Sequence, residues 1–137
     1  MEKTNWARSF LCGLVAGVVW TLLSMVLLGF VGDDFLAAVR VGRQHGSSSG
    51  SYLFLHFSNL AAGVWAMWLY TAIRPSYGPG LKTAAVAGLA WWVIVSMQSA
   101  KWVALISVPP AVALAPLAAT LPAILVATLA GAWFYEK

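Results

Sequence analysis

Four apolar stretches, each long enough to cross a bilayer and joined by short polar connections, constrain this chain more than any other feature. Phe10–Val31 holds no charged residue, and at ~1.5 Å rise per residue it reaches ~33 Å against a hydrocarbon core of ~30 Å. Tyr52–Ile73 repeats that length, with His56 as its only titratable group besides tyrosines. Thr83–Ala100 runs on into Lys101 and Trp102, a cation and an aromatic suited to a membrane interface, so the third span is read as 83–102. Ala111–Tyr135 supplies the fourth. A soluble helical bundle needs charged stripes at a period near 3.6, whereas these segments are apolar all round, as lipid solvation requires. The expected fold class is all-α integral membrane, with four transmembrane helices in a single domain over residues 1–137.

Composition agrees with that reading: 61% of residues are hydrophobic, 9% are charged, and the mean hydropathy is +0.83. A net charge of +4 and a pI near 9.6 raise nucleic-acid binding as an alternative. The cations, however, are scattered singly at helix ends and form no basic stripe, so no nucleic-acid partner is expected. Cys12 is alone, which excludes an intramolecular disulfide. Lys3 and Arg8 before an apolar run resemble a secretory signal. The run is nevertheless longer than the ~7–15 residues of a signal core, and it ends in Gly-Phe-Val-Gly-Asp-Asp, so the first helix is expected to be retained.

With four spans, Lys3, Arg8, Arg74, Lys82 and Lys137 share one side of the membrane and Arg40, Arg43 and Lys101 the other. The positive-inside rule then places both termini in the cytoplasm. Trp6 and the pairs Trp68/Tyr70 and Trp133/Tyr135 are expected at the inner interface, and Tyr52 and Trp102 at the outer one. The halves of the chain also align. Val15-Ala16-Gly17-Val18-Val19-Trp20 matches Val86-Ala87-Gly88-Leu89-Ala90-Trp91, and Trp68-Leu69-Tyr70 matches Trp133-Phe134-Tyr135. Two like helical hairpins, related by an axis along the membrane normal, would produce both matches in the same order.

The outer loops differ most between the repeats. In 32–51, Asp33-Asp34 can cap a short amphipathic helix carrying Phe35, Leu36 and Val39, with Gly46–Ser51 as a flexible lead into the second span. About ten residues around Pro109-Pro110 join the last two spans. Arg74-Pro75-Ser76-Tyr77-Gly78-Pro79-Gly80 is a tight connection that ends one helix before the next begins at Leu81. Pro116 and Pro122 are expected to kink the fourth helix and free the carbonyls of Val112 and Ala118.

Small residues fall in register within the helices. Gly13 with Gly17, and Ala84 with Gly88, form faces that allow close backbone approach, so these four are the expected helix-packing positions. His56, Asn59, Gly63, Met67 and Tyr70 share one face of the second helix, and that face is expected to look inward, because exposed polar groups are costly in lipid. His56, Asn59 and Gln98 are the candidate polar core or substrate residues. Their bland reading is interhelical hydrogen bonding, worth about 1 kcal/mol or less. Two functional readings stand beside it: a small-solute transporter or pore lined by His56, Asn59 and Gln98, and a haem or pigment carrier using His56 as axial ligand.

Absences narrow the chemistry. The sequence has no Cys-x-x-Cys, no His/Cys/Asp cluster at metal-ligand spacing, no glycine-rich phosphate loop and no carboxylate inside a span. No enzyme activity, metal or cofactor is expected. The leading expectation is a non-enzymatic structural or accessory membrane component, with the lipid bilayer as its solvent and a homo-oligomer or a larger membrane complex as its setting.

The segment Trp68–Ala84, with its Ile-Arg-Pro-x-x-Gly-Pro-Gly core at Ile73–Gly80, resembles a pattern in small four-helix bacterial membrane proteins of unknown function, as does the Gly-Ala-Trp-Phe-Tyr tail at Gly131–Tyr135. The resemblance covers about 25 residues at two places and implies a four-helix fold in a bacterial inner membrane. It implies no activity.

Overall fold

A computed structural model describes residues 5–30, 49–105 and 110–137. The expected amphipathic loop helix at Asp33–Val39, the cations Lys3, Arg40 and Arg43, and Pro109 lie outside the described residues, as do the side chains of Tyr52, Lys101 and Trp102. Among the described residues the chain is all-helical, with four helices: α1 (Trp6–Phe30), α2 (Ser49–Tyr77), α3 (Leu81–Leu105) and α4 (Pro110–Glu136).

Local chemistry sets the described ends. Asn5 caps α1: its Oδ1 accepts from the Arg8 amide at 3.1 Å, satisfying one of the orphan donors of the first turn. Pro110 opens α4, where its missing N–H costs nothing and its fixed φ is already helical. α2 runs further than expected, through Pro75 to Tyr77. It stops where Gly78 and Gly80 take φ of 81° and 114°, a region that side chains disfavour. The Gly78 amide closes the last turn on the Arg74 carbonyl at 2.8 Å, and the Thr83 hydroxyl donates back to the Gly78 carbonyl at 2.5 Å. The connection from α2 to α3 is thereby tied at both ends.

Other boundaries shift as well. α2 already includes Ser49-Gly50-Ser51, which correspond to the expected flexible lead, and α3 and α4 approach each other more closely in sequence than a ten-residue link implies. α4 stays helical past Pro116 and Pro122. Next to the expected Ala118, the Leu117 carbonyl takes two side-chain donors: Thr120 Oγ1 at 2.8 Å and Trp92 Nε1 at 3.1 Å.

α1 touches α2 and α4, and α3 touches α2 and α4, so the helices form a ring in chain order. The α2–α4 diagonal is closed by Tyr70 and Tyr135, whose rings meet edge-on at 6.0 Å, and the α1–α3 diagonal by Trp20 and Trp91 at 5.6 Å. Between these aromatic pairs the interior is built from small residues: Ala16, Ala66, Ala84, Ala87, Ala123, Ala127 and Ala132 are all buried. Met67 and Ile124 are buried with them, but many bulky side chains point outward, among them Phe10, Leu22, Phe57, Trp65, Ile94 and Met97. A water-soluble bundle shows the reverse arrangement, because burial of large apolar groups drives its folding.

Among the described residues, three helices are long and apolar enough to cross a membrane: Trp6–Leu27, Leu81–Ala100 and Leu117–Glu136, with mean hydropathies of 2.3, 1.3 and 1.8. α2 is at least as long but is not among the three. His56, Ser58 and Asn59 interrupt its apolar run within a single turn.

Candidate functional site

The polar groups inside this bundle gather in two places. In the middle, Asn59 of α2 faces α1, and its Oδ1 accepts from Trp20 Nε1 at 3.3 Å. Glycines make that approach possible. A Cβ on Gly17 would lie 2.7 Å from the Leu60 Cα, one on Gly13 would lie 2.5 Å from the Val64 Cα, and one on Gly63 would lie 2.3 Å from the Gly17 amide nitrogen. Backbone thus meets backbone across α1 and α2, the arrangement that small-residue faces permit in membranes.

The packing positions expected from sequence therefore serve separate seams. Gly13 and Gly17 pack on α2 with Gly63 as their counterpart. Gly88 packs on α4, where an added Cβ would meet only the side chains of Leu125 and Thr128, each at 3.1 Å. Ala84 is fully buried with Cys12, Ala16, Met67 and Tyr70.

The three candidate polar residues have different surroundings. Asn59 is engaged by Trp20, His56 is half-buried near the start of α2, and Gln98 is exposed on α3. Gln98 falls on the same face of α3 as Ala84, Gly88 and Trp91, two helical turns beyond Trp91, yet it is exposed. Among the described residues, no three of His, Cys, Asp and Glu come together as metal ligands.

The second polar locus sits where α1 begins, α2 ends, α3 begins and α4 ends. The Tyr70 hydroxyl donates to Glu136 Oε1 at 2.5 Å and accepts from the Gly80 amide at 3.5 Å. One buried phenol therefore ties the body of α2 to the last turn of α4 and to the α2–α3 turn. The guanidinium carbons of Arg8 and Arg74 stand 5.7 and 5.6 Å from the centre of the Tyr135 ring, within cation–π reach. Arg8 also donates from Nη2 to the Phe134 carbonyl at 3.4 Å, and Lys137 Nζ lies 3.6 Å from the centre of the Trp133 ring.

The aromatic pairs divide between the core and the outside of the bundle. Tyr70, on the face expected to look inward, is buried, as is Tyr135, whereas Trp68 and Trp133 are exposed. The signal was present in the repeated Trp-x-Tyr, whose two aromatic positions sit about 200° apart on a helix of 3.6 residues per turn and so cannot share one face. No family model, characterised protein or solved structure matches this chain.

Proposed function

We propose that this chain is a non-enzymatic structural or accessory component of a bacterial inner membrane, crossing it four times with both termini in the cytoplasm. The observation that carries the proposal is the inverted interior. Seven alanines, with glycines and hydrogen-bonded polar groups, surround a few large side chains such as Met67, Ile124 and the paired aromatics at the centre, while most of the large apolar side chains cover the outside of every helix. Such a surface needs an apolar solvent. α2, though less apolar than its neighbours, is held among them by its glycine seam and turns Asn59 toward Trp20, which leaves the bilayer little polar surface to accommodate. Bacterial origin rests on the loop and tail resemblance, and orientation on the distribution of cations.

The two-hairpin repeat belongs to the same proposal. The residues it treats as equivalent meet in pairs, Trp20 with Trp91 and Tyr70 with Tyr135, as they would on either side of a central two-fold axis. Leu60 against Gly17 also corresponds to Leu125 against Gly88. In this reading the bundle acts by association, with itself or within a larger membrane complex.

Two measurements test the proposal. A reporter fused after Lys137 is expected to be active only in its cytoplasm-dependent form; activity in the periplasmic form would reverse the orientation. Native purification is expected to recover a stable oligomer or complex, with no solute flux in proteoliposomes. A flux that depends on His56 would replace the structural reading with the transporter.

A further inference from the structure

We propose that the patch of cations and exposed aromatic rings at the start of α1 and the end of α4 binds the phosphodiester headgroup of an anionic phospholipid, an inference that rests on the membrane reading above. The described cations Arg8, Arg74, Lys82 and Lys137 all lie at this end of the bundle, and Glu136 is the one described carboxylate beside them. That carboxylate accepts the Tyr70 hydroxyl. Arg8 and Lys137 are instead placed by aromatic rings and a carbonyl: Arg8 bridges from α1 to the Phe134 carbonyl and the Tyr135 ring, and Lys137 caps Trp133. Trp133 and Phe134 are themselves in edge contact at 5.0 Å, which joins the two cation sites into one patch.

A cation held against a ring keeps most of its N–H donors for another acceptor, and a guanidinium matches the paired oxygens of a phosphate. The surroundings select a lipid over a free phosphate. Leu11, Trp133 and Phe134 are 62%, 50% and 48% exposed around the cations, an apolar wall suited to acyl chains directly beneath a headgroup. Inner-leaflet lipids supply the negative charge that a cytoplasmic cationic patch attracts.

The chain's eight tryptophans provide the readout. The full protein is reconstituted into phosphatidylcholine vesicles containing an equal mole fraction of either brominated phosphatidylglycerol or brominated phosphatidylcholine, and tryptophan quenching is compared. Several-fold stronger quenching by the anionic lipid is expected. Arg8→Gln and Lys137→Gln should lose that preference, while Arg8→Lys should retain part of it. Lys82→Gln removes the same charge from an exposed position on α3 and should keep the preference. An equal loss in Lys82→Gln would mean a diffuse field and overturn the site. Equal quenching by both lipids would overturn the proposal and leave the membrane reading intact, whereas quenching by neither would overturn both. Lys137, an exposed residue after the end of α4, can be replaced without disturbing the core, so its variant decides the matter even if Arg8→Gln fails to fold.

Discussion

Gly63 has no room for a methyl group. Its added Cβ would sit 2.3 Å from the Gly17 amide nitrogen and 2.5 Å from the Gly13 carbonyl oxygen, both backbone atoms that cannot move without shifting a helix. Gly63→Ala is therefore expected to destabilise the bundle by about 1–3 kcal/mol or more through overpacking. At Gly88 the opposing atoms belong to the Leu125 and Thr128 side chains, which can rotate, so Gly88→Ala is expected to cost clearly less. Thermal unfolding of both variants in one detergent checks the order; equal losses would show that α1 and α2 do not meet backbone to backbone. The half-buried His56 is a milder case. His56→Gln is expected to change stability by no more than about 0.5 kcal/mol, the usual range away from a buried network. Loss of a bound chromophore or of an activity in a folded His56→Gln protein would restore the functional readings of this residue.

At the scale of elements, the turn between α2 and α3 is the most heavily constrained described feature. Gly80 takes φ of 114°, its carbonyl accepts the Ala84 amide at 3.2 Å, and its own amide reaches the Tyr70 hydroxyl at 3.5 Å. No neighbouring atom would touch an added Cβ there, so the cost of Gly80→Ala is conformational, about 1–2 kcal/mol. Chemical denaturation should show that loss without a change in helical content. A neutral Gly80→Ala would imply a different turn. The helices themselves were legible from the apolar runs and turn residues, since each reports a local property of the chain. Their ends were less so: Pro75 signals a stop in sequence, but α2 continues to Tyr77. Proline costs a helix one hydrogen bond and a contact with the preceding turn, and the fixed connection beyond Tyr77 offsets that cost.

Across the whole molecule, the diagonal between α1 and α3 is closed by Trp20 and Trp91 alone among the ring contacts. A double-mutant cycle with Trp20→Leu and Trp91→Leu is expected to give a coupling of about 0.5–1.5 kcal/mol, the usual range for an edge-on aromatic pair. Additive losses in unfolding measurements would mean that the pair is not in contact in the folded bundle. Asn59 also donates nothing to this pair but accepts from Trp20, so Asn59→Leu serves as a separate control that removes the hydrogen bond and keeps the rings.

The sequence by itself determined the four helices, the small-residue faces and a tight connection within Arg74–Gly80, because length, apolar composition and backbone freedom are written residue by residue. It also placed His56, Asn59, Gly63, Met67 and Tyr70 on one face of α2, since helical spacing alone decides that. Only the tertiary structure decided what those faces meet: Gly63 against Gly13 and Gly17, Asn59 against Trp20, and Tyr70 against Glu136. The reason is physical. Periodicity fixes the direction of a side chain relative to its own helix axis, while the rotation and depth of one helix against another follow from how closely both backbones can approach, and that depends on residues far apart in the chain.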